Sequence, residues 1–90
     1  MPCLAIDYDG TFSREPQAVQ ATIEAFKSRG WTVICATARR KEFDKGFEIE
    51  RQIASMVDAV VWCDNGPKGE ACRKAGFNPD IILDNKPEAW

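Results

Sequence analysis

The chain has 90 residues, 44% of them apolar and 29% charged, with a formal net charge of −2. That is the make-up of one ordinary globular domain with a modest core, and a charge so near zero gives no broad basic field to gather nucleic acid or an anionic membrane. No apolar run approaches the ~20 residues of a membrane helix, and no basic-then-apolar leader precedes the first strand, so no membrane is expected and the cytoplasm is the default compartment.

The first element is the apolar run Leu4-Ala5-Ile6, inside residues 4–12, LAIDYDGTF. It reads as a buried strand, and a buried strand excludes unpaired charge. Asp7 and Asp9 therefore belong at its carboxyl end. Side chains alternate along a strand, so the two carboxylates set out on one face. Like charges that close call for a counter-ion, and a divalent cation with oxygen ligands is the obvious one. After Phe12, Ser13 or Glu15 is placed to cap a helix with Pro16 in its first turn. Val19, Ile23 and Phe26 recur at helical spacing, and Gly30 ends the helix at C′.

Residues 31–36, WTVICA, form a second strand, followed by Thr37-Ala38-Arg39-Arg40-Lys41. A second helix is expected over 45–56, with Ile49, Ile53 and Met56 as its apolar stripe and Phe47 near its start. Residues 59–63, AVVWC, are a third strand. Asp64-Asn65-Gly66-Pro67 then turns into a third helix that runs to about Ala75 and stops at Gly76. Ile81-Ile82-Leu83 is a fourth buried strand, ending in Asp84-Asn85-Lys86-Pro87. Cys3, Cys35, Cys63 and Cys72 form no C-x-x-C pair and there is no histidine, which disfavours zinc and removes histidine-based nucleophile schemes. The cysteines read as small buried hydrophobes, and Phe26, Trp31 and Trp62 as core.

Strands alternating with helices through short connections make an α/β fold, with a parallel sheet and ligands bound outside the carboxyl ends of the strands. Polar residues collect at those ends. Strand one ends in Asp7 and Asp9, strand two in Thr37 and Arg39, strand four in Asp84 and Asn85, and Lys68 opens the third helix on the same edge. Each has an ordinary explanation taken singly, as a turn, a cap or a solvated side chain. Their joint placement points to a site. Oxygen-only ligation suits Mg²⁺, which keeps waters and binds phosphate as well.

On these motifs the chain resembles the haloacid dehalogenase-like (HAD) hydrolase superfamily over nearly all its length. The matching features are a strand ending in D-x-D-G-T (Asp7-Tyr8-Asp9-Gly10-Thr11), a strand ending in Thr37, a lysine before the last core strand, and the pair Asp84-Asn85 after it. The resemblance implies a Rossmann-like three-layer sandwich spanning 1–90, about four strands in the order 4-1-2-3, and no cap domain. It also implies a Mg²⁺-dependent phosphatase working through an aspartyl-phosphate. Asp7 is then the nucleophile and Asp9 the general acid and base. Mg²⁺ is held by Asp7, the backbone carbonyl of Asp9, and Asp84. Lys68 neutralises charge, while Thr11, Thr37, Arg39 and the N–H groups just after Asp7 take up the substrate's phosphoryl oxygens.

Three features depart from the family pattern. Asn85 stands where a second acid is usual, with a contact to the metal through water left to it. Lys74 competes with Lys68 as the site lysine. The absence of room for a cap implies an open site, and capless members act on macromolecular phosphates or build a lid by oligomerising; the substrates expected are a phosphorylated small molecule, a nucleotide or a nucleic-acid end, although net charge does not indicate nucleic acid. Arg39-Arg40-Lys41 reads as a solvated stretch offset by Glu42 and Asp44. A homo-oligomer is allowed, since a four-stranded sheet leaves edges to cover. The alternative reading is a HAD-like phosphate- and metal-binding interaction module with little turnover; a phosphotransferase is a weaker third.

Overall fold

In the computed structural model, which describes residues 2–42 and 45–90, every residue of β1 (Cys3–Asp7) is buried. A strand can be that apolar only if both its edges and both its faces are covered. β1 pairs in parallel with β2 (Thr32–Thr37) on one side and with β4 (Ile81–Leu83) on the other. β3 (Ala59–Trp62) pairs in parallel with β2. The sheet order is β3-β2-β1-β4, which is the expected 4-1-2-3 read from the opposite edge.

The two faces divide by residue parity. Leu4, Ile6, Val33 and Cys35 face α1 (Pro16–Ser28) and α2 (Gly46–Gln52), packing on Val19, Ile23, Ile49 and Ile53. Phe26 and Trp31 meet edge to face at 4.9 Å beside this cluster, and Trp62 also packs on it. Cys3, Ala5, Ile34, Ala36 and Val61 lie on the other face with Cys72 of α3 (Lys68–Lys74), Phe77 and Trp90. Helices thus cover the sheet from both sides, in three layers. All four cysteines are free and buried; burial pushes the Cys35 thiol up to about 12 and Cys72 to about 11, values that suit packing rather than reactivity.

Four details differ from expectation. β4 is not buried: Ile81, Ile82 and Leu83 are 43, 41 and 37% exposed. The strand lies at the sheet edge, and the two helical layers are centred on its neighbours. Neither Ser13 nor Glu15 caps α1 through its side chain; the Ser13 hydroxyl turns back instead to accept from the Gly10 N–H at 2.9 Å. α2 stops at Gln52, short of Met56. The chain continues in turns that still bury Ile53 and set Met56 against the core, so the apolar stripe persists after helical hydrogen bonding ends. Phe47 points outward at 56% exposure.

No helix among the described residues is long and apolar enough to cross a membrane. The connections after β1 (residues 8–15) and after β3 (63–67) are short and insert no further domain. Short connections and a central β1 bring the carboxyl ends of all four strands onto one open edge.

The contrast between strands is testable by urea unfolding. Ile34→Ala, at a fully buried position in β2, is expected to cost about 2–5 kcal/mol. Ile82→Thr on the exposed edge is expected to cost under about 1 kcal/mol.

Candidate active site

Asp7 is the last residue of β1 and shares its face with Cys3 and Ala5, the face covered by α3. Lys68 is the first residue of α3, so it arrives over the carboxyl end of the sheet on that same face. Asp84 follows directly on β4, the strand beside β1. The Lys68 Nζ donates to Asp7 Oδ1 at 2.6 Å and to Asp84 Oδ2 at 2.8 Å. Asp7 and Lys68 are 4% and 6% exposed. A buried ammonium between two carboxylates is tolerable only in good geometry with further hydrogen bonds to the carboxylates, and both acids have them, Asp7 from the Thr11 hydroxyl on Oδ2. Asp84 Oδ2 also accepts from the Trp90 indole at 2.6 Å, and Asp84 Oδ1 from the Lys86 N–H at 2.8 Å. The Trp90 ring lies 5.8 Å from Lys68 Nζ, within cation–π range.

These environments make the two acids unequal. Burial pushes Asp7 above the ordinary carboxylate range, and the Lys68 hydrogen bond offsets this only in part. Burial acts on Asp84 in the same direction, but donation from Lys68, Lys86 and Trp90 outweighs it and holds Asp84 below its ordinary value. Burial alone would lower Lys68; its bonds to Asp7 and Asp84 reverse that and leave it raised, so it is a fixed cation.

Asp9 sits past the end of β1, in the wide turn Tyr8–Phe12. Its carboxylate meets the Arg39 guanidinium twice, at 2.9 and 2.7 Å. Arg39 also donates to Glu48 Oε2 at 3.2 Å and stands 5.2 Å over the Tyr8 ring, whose hydroxyl donates to Gln52 at 2.7 Å. Arg39, expected at the substrate, is thus engaged with Asp9 and tied to α2. Thr11 donates to Asp7 Oδ2 and accepts from the Asn85 N–H, both at 3.2 Å, and so links the two strand ends. Thr37 is fully buried at the end of β2, its hydroxyl accepting from the Arg39 N–H at 3.2 Å.

Of the two candidate lysines, Lys68 is in the site; Lys74 is 77% exposed and pairs with Glu70 at 3.4 Å. Among the described residues, the cations after β2 meet these acids. Lys41 pairs with Glu50 and Arg40 with Asp64, at 3.1 and 3.8 Å, while Asp44 lies outside the described residues. Trp90, Tyr8 and Glu48 join the site without having been singled out from the sequence. Nothing in their local pattern marks them, because each is brought in by tertiary packing.

The donor set suits a hard cation. Asp7 Oδ2, Asp84 Oδ1 and the Asp9 carbonyl converge on one point, at which the end of the Asn85 side chain lies 3.0, 3.2 and 3.3 Å from them. An amide oxygen there would face only acceptors, so the nitrogen is the atom turned inward. All these groups offer oxygen, the ligand Mg²⁺ prefers. Among the described residues no three Asp, Glu, Cys or His side chains gather as a metal cluster. The site opens into a cavity of about 410 Å³ lined by Asp7, Asp9, Gly10, Lys68, Asp84 and Asn85.

No family model matches the chain, and no curated protein or solved structure shows significant similarity to it.

The raised Asp7 gives a pH signature. A carboxyl whose native value exceeds its unfolded one contributes stability that is fully present below the unfolded value of ~3.9 and lost as pH rises through the native value. Asp7→Asn keeps a neutral isostere at every pH. In urea unfolding without divalent cations, the variant is expected to be more stable than the unmodified protein at pH 7, with the gap closing below about pH 4.

Proposed function

We propose that the protein is a Mg²⁺-dependent phosphomonoesterase of the HAD type, acting through a phospho-aspartate on Asp7. The observation that carries this reading is the Lys68 ammonium bridging Asp7 and Asp84 at 2.6 and 2.8 Å beside three converging oxygens. An anionic phosphate cannot approach a carboxylate nucleophile unless fixed positive charge screens the repulsion, and Lys68 is such a charge. Asp7, Asp84 and the Asp9 carbonyl are the groups that would hold Mg²⁺. The cation would supply further charge neutralisation at the phosphoryl group.

The chain's own residues divide the remaining work. Asp7 attacks phosphorus with its carboxylate steadied from two sides, by Lys68 on Oδ1 at 2.6 Å and by the Thr11 hydroxyl on Oδ2 at 3.2 Å. Asp9 moves the proton, first to the leaving oxygen and then from water. Arg39 grips both oxygens of Asp9 at 2.9 and 2.7 Å, so for Asp9 to reach the leaving oxygen the guanidinium has to be drawn off, and a substrate oxyanion is the group to do it. The open cavity of about 410 Å³ suits a phosphorylated small molecule or nucleotide.

The Arg39–Asp9 pairing also favours a second reading, a phosphate- and metal-binding module with little turnover. One experiment separates the two. Hydrolysis of p-nitrophenyl phosphate and of a broad phosphate-ester panel is expected to require Mg²⁺ and to fall at least about 100-fold in Asp7→Asn. Mg²⁺ or phosphate binding with no turnover of any ester establishes the binding module instead.

A further inference from the structure

Asn85 holds the place a cation would take. Its amide nitrogen faces Asp7 Oδ2, Asp84 Oδ1 and the Asp9 carbonyl at 3.0, 3.2 and 3.3 Å. The same two carboxylates give their other oxygens to Lys68. The acids are therefore bracketed, by an ammonium on one side and an amide on the other. An amide nitrogen has two hydrogens and meets three acceptors, and two of these have a second donor, the Thr11 hydroxyl on Asp7 Oδ2 and the Lys86 N–H on Asp84 Oδ1. Access depends on residue 10 having no side chain, since a Cβ there would lie 2.6 Å from the Asn85 amide. The residue is exposed on its outer side, so the side chain has somewhere to go.

We infer that Asn85 is an internal competitor for the cation, satisfying the Asp7–Asp84 pair in the metal-free protein and yielding its place when a divalent ion binds. This rests on the Mg²⁺-dependent reading above, and it reverses the role expected of a second metal-side residue: Asn85 opposes the ion that an acid there would help to hold. The carboxylate pair stays hydrogen-bonded without metal, and the metal-free fold is kept at the expense of cation affinity.

The test is Mg²⁺ titration of the full chain by calorimetry, on the unmodified protein, Asn85→Ala and Asn85→Ser, with thermal unfolding in EDTA and in Mg²⁺. Both variants are expected to bind Mg²⁺ about tenfold more tightly, the loss of one hydrogen bond to a charged group. They are also expected to melt lower in EDTA and to gain more from Mg²⁺ than the unmodified protein does. In NMR spectra of the unmodified protein, the Asn85 side-chain amide pair should shift when Mg²⁺ is added, a result independent of how well either variant folds. Weaker or unchanged Mg²⁺ binding in the variants, or an Asn85 amide signal indifferent to Mg²⁺, overturns the competitor role while leaving the metal site standing. Absence of Mg²⁺ binding in all three proteins overturns the metal reading itself.

Discussion

The Lys68 ammonium touches two carboxylates that belong to adjacent strands and come from opposite ends of the sequence. Burying three charged groups this way is expensive, and the attraction among them offsets that cost only where geometry is good and the leftover lone pairs are met. The fold meets both conditions by position. Parity places Asp7 on the α3 face, the start of α3 places Lys68 over it, and β1–β4 pairing brings Asp84 alongside. Trp90 and the Lys86 N–H complete the shell around Asp84. Remove the ammonium and two buried acids face each other with no fixed cation between them, which neither the strand ends nor the turn after β1 is built to tolerate.

The sheet keeps two kinds of charge apart. On the α3 side the groups are buried, few and close, and their spacing is set by packed elements. On the α1–α2 side, Asp9, Arg39 and Glu48 form a more exposed ion-pair chain resting on Tyr8. Exposed pairs of that kind are worth little in stability and rearrange readily. That division matches the chemistry proposed. A nucleophile and its counter-charge must be held in place before substrate arrives, whereas the proton carrier has to change partners within one turnover. The turn Tyr8–Phe12, in which Gly10 takes a positive φ, links the two sides.

Much of this was legible in the sequence. Four short apolar runs, three helical stripes and the turn residues between them define the parallel α/β order, and the polar residues at strand ends mark one edge of the sheet. Lys68 followed from its position at the start of α3. What local pattern did not reveal has physical reasons. The exposure of Ile81–Leu83 is a property of the sheet edge, and three apolar residues look the same at the edge as at the centre. Alternation describes Asp9 only while the strand continues, and β1 ends at Asp7, before the turn Tyr8–Phe12. The Asn85 amide among three oxygens, the Trp90 indole on Asp84 and the Arg39 grip on Asp9 are long-range meetings that no spacing rule contains.

The central claim is that Asp7, backed by Lys68, is the atom-level acceptor of the phosphoryl group, and chemical trapping addresses it most directly. An acyl phosphate is reduced by borohydride, whereas a free carboxylate is not. Quenching the protein during turnover of a phosphate ester with Mg²⁺, reducing with borohydride and sequencing the peptides by mass spectrometry is predicted to convert residue 7 alone to homoserine. No homoserine at position 7 under conditions where the ester is being hydrolysed, or its appearance at Asp9 or Asp84 instead, would contradict the account.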